Sequence, residues 1–251
     1  MGHLSHQNPC PDTSRFATNP AYFVSRLASM GSSSSKERFL SAPLTPQRKF
    51  PFMVNQRFCQ SRTTTITLHD NFWFKTGAEG YAIKDAFSGK KIFHVQPTLD
   101  GVVADPKTKW LVDAYKIPVA HMHETWTYTM AYNMHVGKES EYYLTQAEIK
   151  FIPLHRNPLY AEYQNPETGE KSRIGVHGDW RQRTVFIYID RGMTGSRYAI
   201  AKVFRPEGKH VPFGSGEYSV EVVSGADVAF VVLVCAAMDD ALQQSIDDPK
   251  K

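Results

Sequence analysis

Cysteine is scarce in this sequence. Among 251 residues there are three, Cys10, Cys59 and Cys235, an odd number at wide spacings. Neither a disulfide framework nor a Cys-x-x-Cys metal motif can be drawn from them. An intracellular, reducing compartment is the natural expectation. Long hydrophobic runs are missing too. The longest, residues 228–238, is bounded by Asp227 and Asp239. It falls short of the ~20 residues a helix needs to cross a bilayer, so no transmembrane segment is expected. The first residues lack the apolar middle of a secretory signal, and His6 stands where a myristoylation signal needs Ser or Thr.

A strong charge of one sign is also absent. The formal net charge is +4, and it is unevenly spread. Residues 1–64 carry eight Lys/Arg against Asp12 and Glu37; the rest carry 21 against 23 acids. The globular part is therefore nearly neutral, which excludes a duplex-binding face able to neutralise several phosphates. No specific nucleic-acid binding is expected of it. Catalytic signatures are few. No Gly-rich turn is followed by Lys-Ser/Thr, and there is no Gly-x-Ser-x-Gly elbow. His177-Gly178-Asp179 offers a His and an Asp, but nothing singles out a serine to join them. No cofactor is expected.

Residues 1–61 form a basic Ser/Pro-rich tail, punctuated by six prolines and the run 32–35 of serine. It is expected to be disordered or loosely docked. Its Ser- and Arg-rich, acid-poor composition is shared by mitochondrial transit peptides, although the cytoplasm, with association to a membrane, is the location expected. From residue 62 the texture changes. Residues 63–68 are β-branched and alternate. A turn at 85–90 separates 81–84 from 91–95, and 110–112 and 117–122 follow. Residues 126–134 alternate as one run, with Trp126, Tyr128, Met130, Tyr132 and Met134 on one side. After 142–151 comes a turn-rich stretch containing Asn157-Pro158 and Asn165-Pro166. Residues 173–180, 184–190, 197–204 and 217–223 complete ten to twelve short strand candidates between Gly-rich loops, the pattern of a sandwich or barrel.

The last segment breaks that pattern. Residues 228–238 are apolar on every side, and the Ala-Ala-Met-Asp-Asp-Ala-Leu-Gln-Gln continuation favours helix from about 227 to 244. A helix that is apolar all round must be buried all round. The expected fold is mainly β: a closed antiparallel barrel of about twelve strands over residues 62–246, enclosing a C-terminal hydrophobic helix. Ala229, Phe230, Val232, Leu233, Ala236 and Ala237 are the side chains expected inside, and residues 247–251 form a polar tail.

Several pieces carry a family resemblance. Tyr218-x-Val220-x-Val222-x-x-Gly225-x-Asp227-x-Ala229-Phe230-Val231-Val232, running on to Asp239, resembles the end of LURP-one-related proteins. These belong to the tubby C-terminal-like group, which also includes phospholipid scramblases. Asp85-x-x-x-Gly89-x-x-x-Phe93-x-Val95 resembles the family's early hairpin, and residues 197–203 resemble its late strand. The resemblance covers about residues 62–246. It implies a twelve-stranded barrel around a central helix and a non-enzymatic binding or scaffold module. There is no counterpart of the scramblases' cysteine-rich palmitoylation cluster or acidic calcium-binding segment.

Two constellations are candidates for function. Arg181 and Arg183, two apart, would share a face on a strand and grip one phosphate group, with Lys202 and Arg205 on a nearby strand. The partners so implied are anionic phospholipid headgroups, phosphoinositides among them; a protein partner is the alternative. His121 and His123 would also share a strand face, with His135 from the next strand, and could hold a metal in a cupin-like barrel enzyme. Thr127 and Tyr128 stand where the cupin glutamate belongs, so the plainer expectation is solvent-facing histidines and no metal.

Overall fold

The computed structural model describes residues 39, 41–44, 46, 53–73, 80–99, 102–103, 108–126, 130–138, 143–149, 159–165, 168–205 and 216–247. Among the described residues there are fourteen strands: β1 Thr64–His69, β2 Tyr81–Asp85, β3 Lys91–Gln96, β4 Thr98–Leu99, β5 Val102–Val103, β6 Thr108–Asp113, β7 Pro118–Trp126, β8 Met130–Val136, β9 Tyr143–Ile149, β10 Leu159–Gln164, β11 Lys171–Asp179, β12 Thr184–Arg191, β13 Arg197–Phe204 and β14 Glu217–Val222. A helix, α1, spans Val228–Asp247.

Twelve strands form one antiparallel sheet in the order β1-β14-β13-β12-β11-β10-β9-β8-β7-β6-β3-β2; β4 and β5 pair separately. β1 pairs with β14 over six residues, and with β2 through Ile66↔Asp85 and Thr67↔Lys84. The order of pairing thus returns on itself across a short seam. Alternation decides the inner face: Thr64, Ile66 and Leu68 of β1, Phe93 and Val95 of β3, and Leu159, Ala161 and Tyr163 of β10 are buried. α1 fills the space they face. Every described side chain from Val228 to Leu242 is buried, including the six expected there. At 1.5 Å per residue the helix is roughly 30 Å long, enough to run the length of the strands. Val-rich sequence would suit a strand, but a strand inside the sheet would leave its backbone polar groups unpaired, whereas a helix satisfies its own.

Strand directions place the ends. β1 runs away from the end that holds the β2–β3, β6–β7 and β8–β9 turns, and α1 starts at that same end. There Asp227 caps the helix. Its Oδ1 accepts from Phe230 N at 3.2 Å, and its Oδ2 accepts from the backbone N–H groups of Met53, Val54 and Asn55 at 3.2, 2.7 and 3.0 Å. A 3-10 turn at Gln56–Phe58 follows, with Phe58 packed edge-on against Phe93 at 5.2 Å.

Three expectations are corrected. The division at residue 62 is too late: residues 53–61 are tied to the helix start, and Phe39, Ala42 and Leu44 are buried, Phe39 on Phe186 at 4.7 Å. Apolar side chains this closely spaced find an unfilled outer face of β12. Apart from residues 39, 41–44, 46 and 53–61, the expected tail lies outside the described residues. Residues 126–134 do not form one strand. Trp126 ends β7, Met130 begins β8, and the two are paired. Tyr132 and Met134 do face the interior; the side chains of Trp126, Tyr128 and Met130 lie outside the described residues. Finally, β10 lies inside the stretch expected to be all turns, because six alternating residues between two Asn-Pro pairs are enough for a strand.

Candidate functional site

The four basic residues expected to bind a ligand do not form a surface patch. Arg181 and Arg183 lie in the turn between β11 and β12, not on a strand, and only Arg181 is exposed. Arg183 adopts a left-handed backbone, φ 53°, and its side chain points inward and is fully buried. Its Nη2 lies 2.6 Å from Asp70 Oδ1 and 2.7 Å from Asp239 Oδ1. Arg205 Nη2 donates to the other Asp70 oxygen at 2.7 Å. Lys202 faces outward but is covered. It pairs with Glu221 at 2.9 Å on the neighbouring strand and donates to Ala42 O at 3.2 Å, which fastens the N-terminal segment. Charge spacing alone cannot tell a turn that projects from one that folds inward; here the helix carries acids that need partners.

Those acids are Asp239 and Asp240, near the far end of α1. Asp239 accepts from Trp180 Nε1 at 2.9 Å, Tyr218 OH at 2.9 Å and Asn71 N at 3.3 Å, besides Arg183. The Arg183 guanidinium also lies over the rings of Tyr218 and Trp180, 4.1 and 4.8 Å from their centroids. Burial pushes the Asp70 carboxyl up, but the combined pull of Arg183 and Arg205 outweighs it and holds Asp70 below the usual carboxylate range. Two carboxylates and two guanidinium groups make the cluster neutral. A buried charge left alone would cost several kcal/mol; here each has an opposite partner and further donors. Asp240 sits in a second cluster. Tyr132 OH and Gln244 Nε2 donate to it, and Gln244 also donates to Glu124. Burial, with Glu124 adding, pushes the Asp240 carboxyl up to about 7. Lys109, whose Nζ donates to Trp73 O, is pushed down to about 8 by burial.

The histidines form a ladder on the outer face. His121 and His135 are cross-strand partners with rings stacked 4.5 Å apart at 4°, and Trp110 lies 4.3 Å from His121. Both histidines are buried, which corrects the expectation that they face solvent. His121 Nδ1 is 3.1 Å from Gly137 O, and His123 Nδ1 is 3.0 Å from Thr108 Oγ1. Burial holds the His121 imidazole down at about 4, so it is neutral at physiological pH. These rings pack and bridge strands. Among the described residues no three His, Cys, Asp or Glu side chains are grouped so as to hold a metal ion. Cys59 is half-buried, and burial next to Asp227 pushes its thiol up to about 12, so it is not a poised nucleophile.

A mainly antiparallel sheet wrapped on its own C-terminal helix, with the helix acids locked by inward arginines, defines the class. The chain belongs to the LURP-one-related family, whose model matches residues 64–239. An X-ray structure of an Arabidopsis thaliana protein is similar at 17% identity, covering 76% of this chain and 99% of that one with a TM-score of 0.51. At that identity the likeness is one of fold. Comparison with curated proteins gave no match. No helix among the described residues is long and apolar enough to cross a membrane.

Proposed function

We propose that this chain is a non-enzymatic binding module in which a closed barrel holds its own helix rigid and presents its outer surface to anionic phospholipid. The observation that carries the reading is the filled interior: α1 is buried from Val228 to Leu242, so the space where a barrel of this kind could house a substrate is taken by the chain itself. The two-residue seam between β1 and β2 supports closure. The charges of Asp70, Asp239, Arg183 and Arg205 are spent against one another. What is left for recognition is the exterior.

The test is co-sedimentation of the full chain with vesicles of phosphatidylcholine alone and with added phosphatidylserine or phosphatidylinositol bisphosphate. Binding that requires the anionic lipid and falls as salt is raised is the expected outcome. A chain that stays in the supernatant with every vesicle would retire the lipid reading and leave a protein-binding scaffold.

A further inference from the structure

Among the described residues four large hydrophobic side chains are exposed, and all four lie at one end of the sheet. Phe87, 98% exposed, sits in the β2–β3 turn. Tyr115 and Ile117, 85% and 50% exposed, sit in the β6–β7 turn, and Val136, 39% exposed, ends β8. β3 pairs with β6, β6 with β7 and β7 with β8, so the three turns are neighbours. Exposed apolar residues scattered singly need no explanation. Four gathered on adjacent turns mark an interaction surface.

Two of these turns are built alike. Asp85-Ala86-Phe87 and Asp113-Ala114-Tyr115 repeat one pattern, an aspartate with an aromatic two residues on. Asp85 Oδ1 accepts from Phe87 N at 3.1 Å, Ser88 N at 2.6 Å and Ser88 Oγ at 2.8 Å. Asp113 Oδ1 accepts from Tyr115 N and Ile117 N, both at 2.9 Å, and its Oδ2 lies 3.5 Å from Arg57. Each carboxylate thus ties up its own turn and leaves the aromatic in solvent. A left-handed residue follows in each, Gly89 at φ 68° and Lys116 at φ 65°. Asp113 is buried and Asp85 half-buried, so among the described residues of these two turns the fully exposed charges beside the aromatics are basic: Lys84, Lys90, Lys91 and Lys116. Lys84 and Lys91 are direct cross-strand partners. Like charges placed opposite one another weaken a hairpin, and an anionic surface relieves them.

We propose that this end of the molecule is the surface that docks on an anionic bilayer. Phe87 and Tyr115 seat at the headgroup level, where amphipathic or aromatic rings are favoured, Ile117 and Val136 support them, and the four lysines meet lipid phosphates. Separate tips with lysines between them suit a fluid surface that closes around each one. A rigid protein partner would need a matched pocket for every tip.

This inference rests on the lipid reading above, and its test separates the two. The full chain is sedimented with phosphatidylcholine vesicles with and without phosphatidylserine, beside three variants altered only at exposed positions. Phe87→Ser with Tyr115→Ser should lower partitioning by about tenfold. Lys84→Gln, Lys90→Gln and Lys91→Gln together should lower it about a hundredfold, at roughly fivefold per lysine. Arg181→Ala, at the opposite end, should bind as the parent does. If the parent binds and both the aromatic and the lysine variants bind equally well, the docking surface is elsewhere and this inference alone falls. If the parent binds neither vesicle, the lipid reading falls with it.

Discussion

The two ends of α1 use aspartate in opposite ways. At the far end Asp239 meets Arg183, which bridges it to Asp70, and Arg205 closes the set: charge against charge, sealed from water. At the near end Asp227, Asp85 and Asp113 accept mainly from backbone N–H groups. Backbone donors carry no net charge, so acids satisfied this way do not consume the basic side chains nearby. The result is a polarised molecule. At one end Arg183 and Arg205 are turned inside against the acids. The other keeps its lysines and aromatic tips outside. Stability and recognition are thereby assigned to different ends of one sheet.

The largest blow to the comparison is Arg183→Met. It strands Asp239 in the interior and leaves Asp70 with Arg205 alone, and removing one partner of a buried pair costs about 3–5 kcal/mol, a large share of the ~5–15 kcal/mol that holds a typical domain together. Urea melts should show a collapse in midpoint or no folded protein. Adding Asp239→Asn should recover part of the loss, because the stranded charge is then removed. Equal stability of Arg183→Met and parent would mean that the far end is not held by this cluster.

Asp227→Ala attacks the near end. It removes a helix cap and the acceptor of three further N–H groups, for an expected loss of roughly 2–3 kcal/mol. Limited proteolysis should then cut within residues 53–61, which the parent protects. The smaller effect should distinguish a neutral anchor from a charged lock.

A pH-dependent effect sharpens the far end further. The Asp240 carboxyl, pushed up to about 7 in the fold, ionises near 3.9 in the unfolded chain. Between those values the folded state binds the extra proton. Its contribution to stability is therefore full below about pH 4 and is lost as pH rises towards 7. Asp240→Asn should melt close to the parent at pH 4 and above it at pH 8, by on the order of ten degrees. Parallel melting curves at both pH values would contradict the burial argument.

Much of this architecture could be read from residue order. A helix apolar on all sides, in a chain of short alternating strands, has few places to go, and residues 197–204 and 217–222 became strands nearly as their alternation dictated. That one strand ends at Trp126 and the next begins at Met130 was hidden because no Gly or Pro lies between them. The site was less legible. Spacing put Arg181 and Arg183 together, but a left-handed turn sends one to solvent and the other into the interior. A signal for Arg183 did exist: an aspartate inside a buried helix requires a partner, and for Asp239 an inward-turning arginine supplies it. The paired Asp-Ala-aromatic turns stood in the sequence as well. Only the β3–β6 register sets them side by side.

Hydrogen–deuterium exchange of the full chain, with and without phosphatidylserine vesicles, tests the division between the ends most directly. Protection confined to peptides covering residues 85–91, 113–117 and 136–138, with exchange at residues 180–183 unchanged, is the result this polarity predicts. Protection at residues 180–183 with none at the three turns would contradict it.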